Sequence, residues 1–237
     1  RLNPEHPPLA KALATVPLLF LDLRQEAFQT KFWLTDINGQ WDFGRFLIFQ
    51  SGNDAGLITK VVKFPLLVFF VLSAVLIYRW ASNLYGRFAG LTALTLFSFS
   101  PTVLAHSRLV TTDIPALFGI LLASFFFIRY LENQTGKNLW LAGIAFGIAI
   151  LTKFSTFLLV PYFIILALVY GIIKKSQKNS IFYILSSTFL IFIIGFVLIV
   201  WPVYGLFTFN YPPERQLADT EFLLGSFGNR TLAGIVE

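Results

Sequence analysis

A group of ionisable residues beside two breaks in the apolar runs could carry out chemistry. One break contains His106, Arg108 and Asp113. Lys153 lies two polar breaks further along the chain. Arginine offers a phosphate a bidentate fork and lysine a point charge. A carboxylate nearby can act as general base on an acceptor hydroxyl. These residue types therefore favour transfer chemistry on a phosphate-bearing substrate.

Each of these residues also has a structural interpretation. Asp113, with a proline two residues later, suits a helix N-cap followed by proline in the first turn. Arg108 and Lys153 could extend to lipid headgroups, as long basic side chains do. His6 could cap a short helix, and His106 could be an ordinary interfacial histidine. The residues alone leave both interpretations open.

The composition is that of a membrane protein. Of 237 residues, 56% are hydrophobic and 13% are charged, with a mean hydropathy of +0.72. A spanning helix takes about 20 apolar residues, so the chain has room for several spans but not for a large soluble enzyme domain as well. The 18 basic residues are scattered between apolar runs, which argues against nucleic acid as a partner.

The residue types that are missing narrow the chemistry further. The chain has no cysteine, which excludes disulfides, thiolate metal sites and cysteine nucleophiles. Its two histidines are far apart and form no His-Glu-x-x-His motif, so no zinc site is indicated and we expect no metal or cofactor. Because the chain has no methionine either, we expect it to be a piece of a longer protein.

Six apolar runs predict an all-α fold, a polytopic transmembrane helix bundle. Pro101 lies near the end of the second run, where a helix bends or stops, and we expect the sixth helix to end near Trp201-Pro202. The predicted spans are about residues 60–80, 86–105, 113–131, 138–152, 155–173 and 180–203.

Residues 1–59 are predicted to form a first outer loop with interfacial helices. The apolar stretches 9–21 and 43–49 are too short to span a bilayer. Trp33 and Trp41 suit the headgroup layer. Residues 205–237 are predicted to lie on the same face.

The basic residues set the predicted orientation. Three short turns between the spans are rich in lysine and arginine, which places them in the cytoplasm by the positive-inside rule. The candidate cluster then lies at outer headgroup depth, and we expect the chain to be in the plasma (inner) membrane with an extracytoplasmic active face. The cytoplasmic basic residues are Arg79, Arg87, Arg129, Lys137, Lys174, Lys175 and Lys178.

Three stretches resemble one family in order and spacing. Residues 3–11, Asn-Pro-Glu-His-Pro-Pro-Leu-Ala-Lys, resemble the HPPL-K stretch in the first outer loop of protein O-mannosyltransferases and their bacterial relatives. Residues 100–113, with R-x-x-x-x-D at the end, resemble the loop before the fourth span of those enzymes. Residues 143–147 and 151–155 resemble their following helix and turn.

The resemblance implies a C-type polytopic glycosyltransferase, a superfamily that includes the aminoarabinose transferases of lipid A. Such enzymes move a sugar (mannose or another hexose or pentose) from a polyprenyl-phosphate donor to a protein, lipid or glycan acceptor, with inversion. The acidic Asp-Glu pair that normally opens the family's first outer loop is not in this chain, and we expect it upstream. Carried over by position, Asp113 and Glu5 would be catalytic, Arg108 and Lys153 would bind the donor phosphate, and His6, Lys11 and His106 would line the cavity.

Two other classes of protein compete with this prediction. A transporter or flippase of lipid-linked substrates also carries polar groups in a helix bundle, but these normally lie near the midplane of the membrane. A scaffold subunit would fit if the upstream acidic pair were absent from the intact protein. The chain has no P-loop and no G-x-G-x-x-G after a strand, which favours a lipid-linked donor over a nucleotide sugar.

Overall fold

The computed structural model of the chain describes residues 6–36, 39–174 and 181–225. All regular structure in these residues is helical, which confirms the predicted all-α helix bundle. They divide into two compact units, one of residues 6–21 and 59–204 and the other of residues 22–58 and 205–225. The α-helices, in chain order, are α1 (Pro8–Thr15), α2 (Lys31–Leu34), α3 (Gln40–Arg45), α4 (Ala55–Val61), α5 (Phe64–Tyr85), α6 (Arg87–Ser98), α7 (Pro101–Ser107), α8 (Asp113–Glu132), α9 (Gly136–Ile150), α10 (Leu159–Ile173), α11 (Ile181–Gly195), α12 (Trp201–Thr208) and α13 (Pro213–Gly225).

Four helical stretches are long and apolar enough to cross a membrane. Each reaches the length of about 20 residues that a span needs, and each coincides with one of the predicted runs. They are Ala55–Tyr85, Asp113–Glu132, Phe154–Ile173 and Ile181–Thr208.

The second predicted span is a bent pair of helices. The axes of α6 and α7 differ by 60° across a short break, and Pro101 is the first residue of α7. Ser100 just before it has extended backbone (φ −62°, ψ 121°), as the residue before a proline prefers. The bend expected at Pro101 is therefore confirmed. Because α9 has only 15 residues, the count of six crossings stays a prediction.

Glycines let α9 pack closely against α11. A Cβ atom at Gly143 would lie 2.5 Å from the side chain of Ile194, and one at Gly147 would lie 2.6 Å from the carbonyl oxygen of Gly195. Small residues of this kind allow the backbones of membrane helices to approach one another. On another side of α9, a Cβ atom at Gly119 of α8 would lie 2.8 Å from the Cα of Ala149, so this short helix is packed closely against both α11 and α8.

Helices α8 and α9 form a hairpin around the short loop 133–135. The Thr135 hydroxyl accepts a hydrogen bond from the backbone N–H of Asn138 at 3.3 Å, which caps the start of α9. The side-chain amide of Asn138 donates to the Asn133 carbonyl at 2.8 Å. Above this turn, Phe127 of α8 stacks on Phe163 of α10 with ring centroids 4.0 Å apart, and both are fully buried. These contacts fix the C-terminal end of α8.

The prediction that the sixth helix ends near Trp201-Pro202 is wrong. The helix continues to Thr208 through a π-helical turn at Phe196–Val200, in which the Trp201 N–H donates to the Phe196 carbonyl five residues earlier. Proline interrupts a helix because it lacks an N–H and its ring crowds the preceding turn. A wide turn just before Pro202 relaxes the regular four-residue ladder and accommodates it.

The second unit joins α13 to the end of α2. The guanidinium of Arg215 donates to the backbone carbonyls of Leu34, at 3.2 Å, and Thr35. Its Nε also donates to Asp219 at 3.2 Å, one turn further along α13. Carbonyls at the end of a helix lack intrahelical donors, so Arg215 satisfies two of the open acceptors at the end of α2.

Candidate active site

Asp113 opens α8 and is the centre of a polar cluster. Helix α8 begins at Asp113, and Thr112 occupies the capping position without a side-chain capping bond. The structural interpretation of Asp113 as N-cap is therefore wrong. Its carboxylate instead points across to the turn after α9, where Oδ1 lies 2.7 Å from Nζ of Lys153. The two side chains are 38% and 29% exposed, so this ion pair is accessible from solvent.

The turn that carries Lys153 is held by two buried threonines. The hydroxyl of Thr152 donates to the Ala149 carbonyl at 2.6 Å. The hydroxyl of Thr156 lies 2.9 Å from the same carbonyl and 2.6 Å from that of Lys153. Both threonines are at most 1% exposed. These bonds add to the backbone hydrogen bonds that the Ala149 and Lys153 carbonyls already accept and hold the turn in which the Lys153 backbone is extended.

His106 approaches the other oxygen of Asp113. It is the second-last residue of α7, and its Nδ1 is 3.3 Å from Oδ2 of Asp113. No hydrogen bond from this Nδ1 has suitable geometry within the described residues, so the contact is electrostatic and strengthens when the imidazole is protonated. Two basic groups thus face the one carboxylate.

The His-Pro-Pro-Leu stretch packs beside this turn. The N–H of Leu9 donates to the carbonyl of Leu151 at 3.3 Å, two residues before Lys153. Pro7 and Pro8 are buried, and α1 continues into an apolar cluster that includes Ile114 of α8. Nδ1 of His6 is buried and makes no hydrogen bond within the described residues. The His-Pro-Pro-Leu stretch and α1 therefore contact both elements that carry the ion pair.

The other predicted site residues are placed less centrally. Arg108 follows the end of α7 and is exposed, and its side chain has no hydrogen-bond or ion-pair partner among the residues described. Lys11 is partly buried in α1. Glu5 lies outside the described residues. No group of three or more His, Asp or Glu side chains in the described ranges is arranged to hold a metal ion.

Sequence reasoning missed the pairing of Asp113 with Lys153 and the role of Thr156. It assigned the two charges separate tasks, although they neutralise one another here. Thr156 is a polar residue at the start of an otherwise apolar run, three residues after a lysine. A threonine hydroxyl can donate to the carbonyl of the residue three positions earlier, and this spacing was the signal in the sequence.

Comparison with known proteins gives the family. Neither the curated proteins nor the solved structures compared with the chain include a match. The family model described as dolichyl-phosphate-mannose-protein mannosyltransferase matches residues 55–201, which include the cluster from His106 to Lys153 but not residues 1–54. The chain therefore belongs to the dolichyl-phosphate-mannose-protein mannosyltransferase family and is an integral membrane glycosyltransferase.

Proposed function

We propose that the protein transfers a sugar from a polyprenyl-phosphate donor to a protein, lipid or glycan acceptor on the extracytoplasmic face of the plasma membrane, with inversion. The observation that carries this proposal is the cluster of Asp113, Lys153 and His106 at the end of a membrane helix, with exposed Arg108 five residues before Asp113. Cations and one carboxylate at headgroup depth are what a lipid-linked phosphate sugar and an acceptor hydroxyl require.

The reaction needs little beyond charge stabilisation and one proton transfer. The acceptor oxygen forms a bond to the anomeric carbon while the bond from that carbon to the phosphate oxygen breaks. Polyprenyl phosphate leaves with the electron pair, and the acceptor proton goes to a carboxylate. Cations placed where the negative charge develops lower the barrier. No nucleotide or redox cofactor takes part in this scheme.

Arg108 is the first phosphate ligand in this proposal. Its guanidinium is exposed and has no partner within the described part of the chain, so binding a phosphate there breaks no existing ion pair. Its fork can hold two phosphate oxygens at once. Lys153 is the second ligand, and it must share its charge with Asp113.

The ion pair couples donor binding to the carboxylate. A phosphate near Lys153 competes with Asp113 for the same ammonium, since both are anions at short range. As the ammonium turns toward the phosphate, Asp113 becomes available to accept the acceptor proton. Glu5 and the upstream acidic pair expected from the family are the other carboxylates proposed for this cavity, and His6, Lys11 and His106 are proposed to line it.

The donor class can be tested with the intact protein in membranes. Labelled polyprenyl-phosphate sugars are offered in parallel with the corresponding nucleotide sugars, and labelled acceptor and released polyprenyl phosphate are measured. We expect transfer from the lipid-linked sugar only, and its loss in Arg108→Ala. Arg87→Gln, which removes an exposed cation at the start of α6, should leave transfer unchanged. Direct transfer from a nucleotide sugar in membranes stripped of polyprenyl phosphate would contradict the proposal.

A further inference from the structure

A pocket with polar and apolar lining residues lies between the last turns of α5 and α8. Its volume is about 500 Å³, and its lining includes Trp80, Asn83, Phe125, Arg129 and Glu132. Arg129 lies 16 residues after Asp113 on the same helix. At 1.5 Å per residue this is ~24 Å along the axis. The pocket is therefore at the opposite end of α8 from the candidate active site and does not belong to it.

The pocket is apolar on its inner side and polar at its mouth. Trp80 meets Phe125 edge to face, with ring centroids 5.5 Å apart, and the two rings form a wall between the helices. Arg129 and Glu132 lie in the last turn of α8, nearer the helix end, and both are exposed. An indole beside charged groups at the end of a membrane helix marks the level of lipid headgroups. A lipid fits this order, with its chains along the rings and its headgroup at the mouth.

The charges at the mouth are balanced and are not paired with each other. Arg129 and Glu132 are three residues apart, which places them on the same face of α8. Neither has an ion-pair or hydrogen-bond partner for its side chain among the residues described. One cation and one anion at the mouth complement a ligand that carries both charges. A headgroup with net negative charge would instead bring a second anion close to Glu132.

We propose that this pocket binds the headgroup of a phosphatidylethanolamine-type lipid. Arg129 holds the phosphate through its fork, and the amide of Asn83 donates to a further phosphate oxygen. Glu132 accepts hydrogen bonds from the ammonium group. The first carbons of the acyl chains lie against Trp80 and Phe125. A choline headgroup is a poorer ligand because its quaternary nitrogen has no N–H to donate to Glu132.

The proposal is tested by titrating the delipidated full chain in detergent with lipids that share the same acyl chains. Native mass spectrometry counts bound phosphatidylethanolamine, phosphatidylglycerol and phosphatidylcholine. We expect phosphatidylethanolamine to bind about tenfold tighter than the other two, the scale of one charge-assisted contact. Equal affinity for the three lipids, or inorganic phosphate that displaces the lipid at equal concentration, would overturn the proposal.

Variants of Arg129 and Glu132 test which side chain contacts which group of the lipid. Arg129→Gln should weaken binding of both phosphatidylethanolamine and phosphatidylglycerol about tenfold, whereas Glu132→Gln should weaken only the former. The exchange variant Arg129→Glu/Glu132→Arg keeps both charges and should retain most of the binding, which covers the case in which a single variant fails to fold. Arg87→Gln, an exposed cation that does not line the pocket, is the matched control. Unchanged lipid binding in folded Arg129→Gln and Glu132→Gln would also overturn the proposal. Lipid binding is measured without turnover, so its failure is independent of the proposed activity.

Discussion

Replacing Asp113 with asparagine separates the charge of the carboxylate from its shape. The variant keeps a side-chain oxygen near Lys153 but removes the negative charge that pairs with it at 2.7 Å. As a purely structural residue, Asp113 would contribute only stability. As the catalytic carboxylate, it must also take the proton of the acceptor, which an amide cannot do.

The exposure of the pair sets the expected loss of stability. Surface ion pairs contribute about 0–1 kcal/mol, and breaking a fully buried pair costs about 3–5 kcal/mol. With side chains 38% and 29% exposed, this pair lies between the two, and we expect Asp113→Asn to lower the free energy of unfolding by about 1–2 kcal/mol. We expect turnover to fall by ~10² or more, the scale for a lost acid–base group. A fall in turnover of this size is larger than the loss of stability from the broken ion pair would cause.

A double-mutant cycle with Lys153→Gln distinguishes the two contributions. Melting temperatures in detergent and turnover with saturating donor are measured for both single variants and the double variant. Asp113→Asn and Lys153→Gln should be non-additive in stability, with a coupling of about 1 kcal/mol, because they remove the same contact. Asp42→Asn is the control, since Asp42 pairs with Arg45 at 3.0 Å but both side chains are more than half exposed. Turnover of Asp113→Asn within about threefold of the parent would refute the catalytic role and leave only the ion pair.

The remaining predictions concern the neighbours of this pair and the orientation of the chain. Arg108→Ala should raise the activation free energy derived from kcat/KM for the donor by about 2–4 kcal/mol, which is more than Lys153→Ala should raise it. Arg108→Lys should recover part of the loss. An unchanged kcat/KM in Arg108→Ala would mean that Arg108 only contacts lipid headgroups. Thr156→Val keeps the shape but loses the bonds to the turn, and turnover should fall about tenfold while Ser155→Ala, an exposed neighbour, changes it little. Single cysteines are clean probes because the chain has none. A cysteine at Leu109 should react with an impermeant reagent from outside and one at Lys137 should not, and the reverse pattern would place the site in the cytoplasm.

Much of the fold could be predicted because membrane helices have simple requirements. A long uncharged run must be helical in lipid, since every backbone polar group needs a partner within the segment. The bend at Pro101 follows from proline chemistry in the same way. The continuation past Pro202 could not be predicted, because it depends on the π-helical turn at Phe196–Val200. The pattern of apolar residues does not show whether a turn of this helix forms α-helical or π-helical hydrogen bonds.

The candidate site was predictable as a set of residues but not as a set of contacts. His106 and Asp113 share a loop, so their proximity follows from the sequence. The contact of the His-Pro-Pro-Leu stretch with Leu151 does not, because it joins residues that are separated in the sequence by several helices. Such a contact depends on which helices are neighbours. The pattern of apolar residues does not predict the neighbours of a helix that is apolar on all sides.

The hairpin of α8 and α9 explains why Lys153 meets Asp113. In an antiparallel pair of helices, residues equally distant from the connecting loop come level with one another, because both helices rise 1.5 Å per residue. Asp113 lies 21 residues before Gln134, the centre of the loop, and Lys153 lies 19 residues after it. Helix length therefore brings the two charges close to one level, and the turn held by Thr152 and Thr156 places Lys153 against the carboxylate. An insertion of one residue in α9 would move Lys153 along and around the helix by about 100°, turning it away from the carboxylate. The length of α9, which is short for a membrane span, is thus one of the features that assemble the ion pair.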